Sequence, residues 1–483
     1  MFKSLKPFLE DIWEVIKIIW EDITDAPPKP SGSPHKAKFV SSKKILRNNH
    51  YGFCLTGTKR LSVANSFKHA IIYGSSGTGK SSTVLLPSLF TTGGSLVIHD
   101  PSGELWQNSA AYLARKRGYT VKRLNFSKPL WSDGFNPLSY ATDESGINKL
   151  AELVIKIALG ADPQAAYWNE SATDLLRFLI RVIHTRESKY HTFSAIYRLL
   201  HHLEASPDEF LRLVKESNKE ELITQAKAFL ARDQKLRSSV ITTVQAAIQR
   251  YADPDIALVS SFDSLSLGEL RKRPTAIYVQ IPAQDHEYYR VPNSIFWETL
   301  FSELLKTLPK PGELPVFCLL DEIGWLSLPN LPTYMAVARK YFGLLLALQD
   351  TSQLISRYGR EGAATIEANA WAKLFFTAQS PKAAQDLSRI LGTTEITNKE
   401  GDKIIRDLMS HPEIRMMNPD RGILLCGNLS PMWVRLTPYY KQRAMRKYAQ
   451  YARRFPLRKL SKHPSMIPSE GLIAKANLIH YDR

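Results

Sequence analysis

Gly74-Ser75-Ser76-Gly77-Thr78-Gly79-Lys80-Ser81 matches G-x-x-x-x-G-K-[ST] at every position, and an apolar run, Ala70-Ile71-Ile72-Tyr73, leads into it. These residue types suit phosphate chemistry. Glycines let the backbone curl so that successive N–H groups converge into an anion-binding nest. Lys80 brings a positive charge to the β- and γ-phosphates of a nucleotide, and the Ser81 hydroxyl can ligate Mg²⁺. Ser82-Thr83-Val84-Leu85-Leu86 can open a helix, whose N-terminal dipole adds to the attraction. The expected contact set for a nucleoside triphosphate is Gly74, Ser75, Ser76, Gly77, Thr78, Gly79, Lys80, Ser81 and Ser82.

A second constellation follows far downstream. Pro315-Val316-Phe317-Cys318-Leu319-Leu320 is an apolar strand pattern that ends in Asp321-Glu322. Two adjacent carboxylates at the carboxyl end of a buried strand can divide the work. Asp321 joins Ser81 as a candidate metal ligand, and Glu322 can polarise an attacking water as general base. Ligands of doubly wound sheets bind at the carboxyl ends of strands, which ties this pair to the glycine-rich loop. Gln349 ends the next apolar run, where a neutral amide can sense a γ-phosphate or orient water. Arg339 and Lys340 close the preceding helical stretch, and one of them can serve a neighbouring subunit as an arginine finger.

Elements able to hold these residues alternate along the chain. Strand patterns at Ala70–Tyr73, Gly93–His99 and Tyr119–Asn125 are interleaved with helical ones, which predicts a mostly parallel sheet with right-handed crossovers. The rhythm resumes at Pro274–Ile281, Pro315–Leu320, Leu344–Leu348, Ala372–Thr377 and Gly422–Cys426, for a sheet of seven or more strands. Between them, residues 142–255 read as helices alone. The chain is therefore expected to be α/β with an all-α insertion: a nucleotide-binding domain in two parts, 36–141 and 256–440, around a helical domain at 142–255. Tyr167 and Trp168, near the start of a long helix there, are weighed as core aromatics. A strand or two is expected within the lysine-rich stretch 36–60.

Apolar residues at helical spacing from Leu5 to Ile23 predict an amphipathic helix within residues 1–25, and Ala26–Pro34 predicts a flexible linker across 26–35. The polar face of that helix is mostly acidic, which favours a protein partner over a membrane surface. No stretch has the 18 or more apolar residues of a membrane span, and no signal peptide is present. The chain has 483 residues and a net charge of +18, so it can bury a large core and suits an anionic partner such as nucleic acid. Lys441–Lys462 holds nine Lys/Arg and no acid, the start of a basic tail over 441–483. The three cysteines form no CxxC pair, which excludes a zinc ribbon or a disulfide framework and fits a cytoplasmic protein.

Taken together, GSSGTGKSS, VIHDPSGELW, the helical insertion, FCLLDEIGWL, ALQDTSQLISRYG and LSRILG resemble the TraG/TraD-like coupling ATPases of conjugation and type IV secretion. The likeness runs from about Lys68 to Tyr440. It includes the spacing of Gln349, Gln353, Leu354, Tyr358 and Gly359. The resemblance implies a RecA-like motor that binds ATP and Mg²⁺ and assembles as a homo-hexamer around a DNA channel. Its catalytic residues would be Glu322, Gln349 and Arg339 acting in trans. It also implies sequence-independent DNA contact, a relaxase or relaxosome substrate, and secretion-channel components as partners at the cytoplasmic face of the bacterial inner membrane. Two departures stand out. Ser102 occupies a position where the family usually has lysine, and the family's two N-terminal transmembrane helices are replaced by the acidic helix. That helix is expected to dock on a separate membrane-embedded anchor. Competing expectations are an FtsK-like translocase, a secretion-channel ATPase, or a substrate receptor with slow turnover.

Overall fold

The computed structural model describes residues 36–160, 166–377, 379–397 and 401–457. The expected N-terminal helix and linker lie outside them. Nine strands form one sheet: β1 (Ala70–Tyr73), β2 (Ser95–His99), β3 (Thr120–Leu124), β4 (Thr275–Val279), β5 (Val316–Leu320), β6 (Gly343–Leu348), β7 (Ala372–Phe375), β10 (Arg421–Cys426) and β11 (Met432–Arg435). The spatial order is β11-β10-β7-β1-β6-β5-β2-β4-β3. All pairings from β7 to β3 are parallel, and β10 runs antiparallel to both β7 and β11. A separate hairpin pairs β8 (Thr393–Thr397) with β9 (Lys403–Asp407).

Strands buried on both faces read as continuous apolar runs, and alternate residues feed opposite layers. In β5, Val316, Cys318 and Leu320 join one core while Phe317 and Leu319 join the other. The first core also holds the helices between β3 and β4 and the helix Arg290–Leu305. The second holds the helix that follows the glycine-rich loop, the helix Glu104–Arg117, and the segment from Leu46 to Phe67. Described residues between β3 and β4 form helices only, from Glu144–Leu159 to Pro254–Val259.

Several expectations change. Tyr167 and Trp168 are exposed, 59% and 37%, and stack edge to face on one another. The buried face of their helix is set by Leu175, Leu176, Leu179 and Ile180, which lie further along it. Residues 36–60 form isolated bridges to β8, β11 and each other in place of a strand. The basic stretch after Lys441 contains a docked helix, Arg443–Arg454, which buries Met445, Ala449 and Ala452. It packs along Glu104–Arg117, with Tyr448 stacked on Tyr112 at 4.2 Å. The cysteines are all buried and unpaired, and burial drives the Cys54 and Cys426 thiols up to about 12.

Candidate nucleotide site at the strand carboxyl ends

Parallel strands deliver their carboxyl ends to one edge, and the predicted residues other than Arg339 gather there. Gly74 extends β1 by donating its N–H to the carbonyl of Leu348 at 3.1 Å. A Cβ at Gly74 would lie 2.6 Å from Thr78 Oγ1 and 2.9 Å from Phe376 Cβ, so only glycine passes. Gly77 and Gly79 take φ of 78° and 94°, the left-handed turn that curls the loop. Thr78 Oγ1 donates to the Ser75 carbonyl at 2.7 Å, and Ser82 Oγ donates to Gly79 O at 3.2 Å. The chain then enters a widened helical turn, Ser81–Leu85, before the α-helix Leu86–Thr91. Pro87 has no N–H and its ring crowds the carbonyl four residues back, which accounts for the wide turn.

Lys80 is 6% exposed, and its Nζ donates to the carbonyls of Gly74 and Ser75 at 2.5 and 3.2 Å. Burial lowers its pKa, and the charges of Glu322 and Asp321 oppose that shift. Asp321 and Glu322 follow β5. Burial and then the Glu322 charge push the Asp321 carboxyl up to about 7, against the pull of Lys80. Asp100 and Glu104 push it in the same direction from the end of β2. Negative charge here exceeds what one lysine offsets. This donor set of carboxylate, serine hydroxyl and lysine suits a phosphate–Mg²⁺ pair. Glu322 has φ of 54°, and both its carboxylate oxygens accept from Gln349 Nε2, at 3.4 and 3.3 Å. The left-handed backbone turns this glutamate back toward the end of β6.

Arg339 is not among this group. It lies in the turn Ala338–Lys340 before β6, near enough to His69 for its charge to depress that imidazole. His69 precedes β1, so Arg339 sits at the amino edge of the sheet. A six-residue strand separates it from Gln349, roughly 20 Å of extended chain.

Other residues at the edge carry no catalytic pattern of their own. Asp100, fully buried, accepts from the N–H groups of Leu105 and Trp106 and from Gln280 Nε2. It caps the helix Glu104–Arg117 across the left-handed Gly103. The aspartate before a turn and helix in DPSGELW was the available signal. His99 Nδ1 contacts the Asp321 carbonyl at 2.5 Å, and burial lowers its pKa to about 4. Gln353 Oε1 accepts from Gln349 N, and Arg357 Nη2 donates to Gly324 O. Glu367 joins Tyr73 OH to Thr351 Oγ1 below the loop.

Residues 30–463 match the family model for type IV secretory system conjugative DNA transfer. The chain belongs to this family. It is 24% identical over 409 residues to the protein VirD4 of Rhizobium radiobacter, covering 78% of this chain and 58% of that protein. It is 23% identical over 369 residues to the conjugal transfer protein TraG of Escherichia coli, covering 69% and 56%. The chain thus spans somewhat over half the length of these curated relatives. In fold it is similar to the plasmid coupling protein TrwB solved with ADP and Mg²⁺. That match has a TM-score of 0.67 at 19% identity and covers 87% of this chain and 99% of that one. A TrwB structure with a non-hydrolysable ATP analogue matches at a TM-score of 0.65 and 18% identity, covering 84% and 96%. These likenesses fix the fold as that of the TrwB structures, an α/β fold with a largely parallel central sheet.

Proposed function

We propose that this chain is the ATP-driven coupling protein of a conjugation or type IV secretion system. It links a relaxosome DNA–protein substrate to the secretion channel and pumps DNA by hydrolysing ATP as a homo-hexameric ring. The observation that carries this reading is the convergence of Lys80, Asp321, Glu322 and Gln349 on one strand edge around the glycine-rich loop. The loop residues Gly74 to Ser82 hold the phosphates. Ser81 and Asp321 hold Mg²⁺, which when bound neutralises phosphate charge. Glu322 takes the proton of the attacking water, and Gln349 holds that carboxylate until a γ-phosphate draws the amide away. Arg339 serves the adjacent subunit's site. The nucleotide-binding domain is split at 36–141 and 256–440 around a helical domain at 142–255.

Membrane attachment fits this reading through a partner. No helix of the described residues is long and apolar enough to cross a membrane. In this reading, residues 1–25, with their acidic polar face, dock on a membrane-embedded anchor at the cytoplasmic face. Fractionation of cells tests that part: a chain lacking residues 1–25 leaves the membrane fraction, and equal retention rejects it.

The main test is ATP turnover of the purified full chain with and without DNA. DNA stimulates the rate, and Lys80→Ala and Glu322→Gln each cut it by about a hundredfold or more. Turnover indifferent to DNA would favour a substrate receptor, and turnover untouched by both substitutions would move the active site elsewhere.

A further inference from the structure

Between the helices Glu144–Leu159 and Arg290–Leu305 lies a cavity of about 510 Å³, with Glu298 in its wall. Glu298 is 1% exposed, and burial pushes its carboxyl above the ordinary range. A carboxylate this deep needs donors. It has three: Asn330 N at 3.2 Å, Asn330 Nδ2 at 2.9 Å and Tyr334 OH at 2.6 Å. The catalytic reading above uses none of these groups.

Asn330 also faces the helical block. Its Oδ1 accepts from Lys156 Nζ at 3.2 Å, and Lys156 belongs to the helix Glu144–Leu159. One residue on, the carbonyl of Ile157 accepts from Arg290 Nη1 at 2.6 Å. Arg290 begins the helix that carries Glu298. Lys156, Asn330, Glu298, Arg290 and Ile157 therefore close a circuit between the helical block and the sheet domain.

The same asparagine leads back to the strand edge by two routes. The stretch from Ile323 to Asn330 follows Glu322 directly and is anchored by buried Ile323, Leu326 and Leu328, so a shift at Asn330 is not absorbed by slack chain. On its far side the helix Leu331–Val337 packs on Ser352–Asn369, whose Gln353 takes the Gln349 N–H. Glu322 and Gln349, which bond each other, are thus both one packed element away from Asn330.

We propose that Asn330, held by Glu298 and Lys156, is a positioning residue through which the helical block sets Glu322 against Gln349. A load engaged by the block moves Lys156, Asn330 follows, and the general base is released or parked. This rests on the hydrolytic reading of the site.

The test uses the full chain with Lys156→Met, Lys156→Arg and Asn330→Ala. Lys156 is exposed, so its variants fold. In Lys156→Met, DNA-stimulated kcat falls about fivefold while basal kcat and the KM for ATP stay within twofold, and Lys156→Arg restores stimulation. Asn330→Ala loses stimulation likewise. Stimulated kcat unchanged in Lys156→Met, or a loss shared equally by basal turnover, overturns the relay. Hydrogen exchange supplies a readout independent of DNA. In a Glu322→Gln background, Mg²⁺-ATP changes protection in both Leu331–Val337 and Glu144–Leu159. Adding Lys156→Met confines the change to Leu331–Val337. A change that still reaches Glu144–Leu159 refutes the relay, whereas wild-type turnover that ignores DNA refutes the coupling reading and leaves this exchange test decisive.

Discussion

Asp321 carries the sharpest pH signature among the site residues. Its carboxyl titrates near 7 in the folded chain, against an ordinary value of 3.8. At low pH both folded and unfolded chains hold the proton. As pH rises from about 4 toward about 7, the unfolded chain loses it and the folded one keeps it, so this group's contribution to stability declines. Urea midpoints taken without nucleotide or Mg²⁺ should fall across that window, and Asp321→Asn should flatten the slope. Mg²⁺ binding needs the ionised form, so nucleotide affinity measured with Mg²⁺ should rise between pH 6 and 8 in the wild type and stay level in Asp321→Asn. Glu322 and Gln349 make a second case. Gln349→Ala frees Glu322 from its amide, and basal ATP turnover should change several-fold while nucleotide Kd holds within about twofold. An unchanged rate would leave the contact without a kinetic role. These residues were legible because their types and their strand-end positions are both written locally. Glu298 and Asn330 were not, since a glutamate inside a helical pattern shows its burial only once another helix covers it.

At the scale of elements, caps and kinks decide which segments position the site. Asp100→Ala removes the acceptor for two N–H groups and the Gln280 amide, and should cost about 2 kcal/mol of stability, read from the urea midpoint. Gly359 interrupts Ser352–Asn369 with φ 70° and ψ 176°, a conformation open almost only to glycine. Gly359→Ala should destabilise by about 1 to 3 kcal/mol, and loss of Gln349–Gln353 alignment should raise the KM for ATP. The parallel strands were readable as apolar runs, since burial on both faces removes alternation. A glycine commonly ends a helix, whereas Gly359 bends the chain and the helix resumes as far as Asn369. The hairpin β8–β9 and the short edge strand β11 escaped too. The hairpin carries polar residues and β9 is exposed throughout, so it offers no buried pattern to detect, and β11 buries Met432 and Val434 in a run of four residues, too short to stand out.

For the whole molecule, charge and symmetry matter most. A net charge of +18 favours phosphate contact without base readout. DNA affinity should fall by about a thousandfold or more between about 50 and about 200 mM salt, with little dependence on sequence, when titrated by fluorescence anisotropy. A shallow salt slope would argue for a partner other than nucleic acid. The opposite placement of Arg339 and the glycine-rich loop carries a consequence for assembly. If one copy's Arg339 completes the next copy's site, the amino edge of one sheet must face the carboxyl edge of its neighbour. Such a contact is polar in the sense of a queue: each copy has a front and a back, and they are different surfaces. Contacts of this kind either close on themselves or grow without end, with rotation per step as the only arbiter. A few degrees of tilt at that joint would therefore separate a finite motor from an open filament.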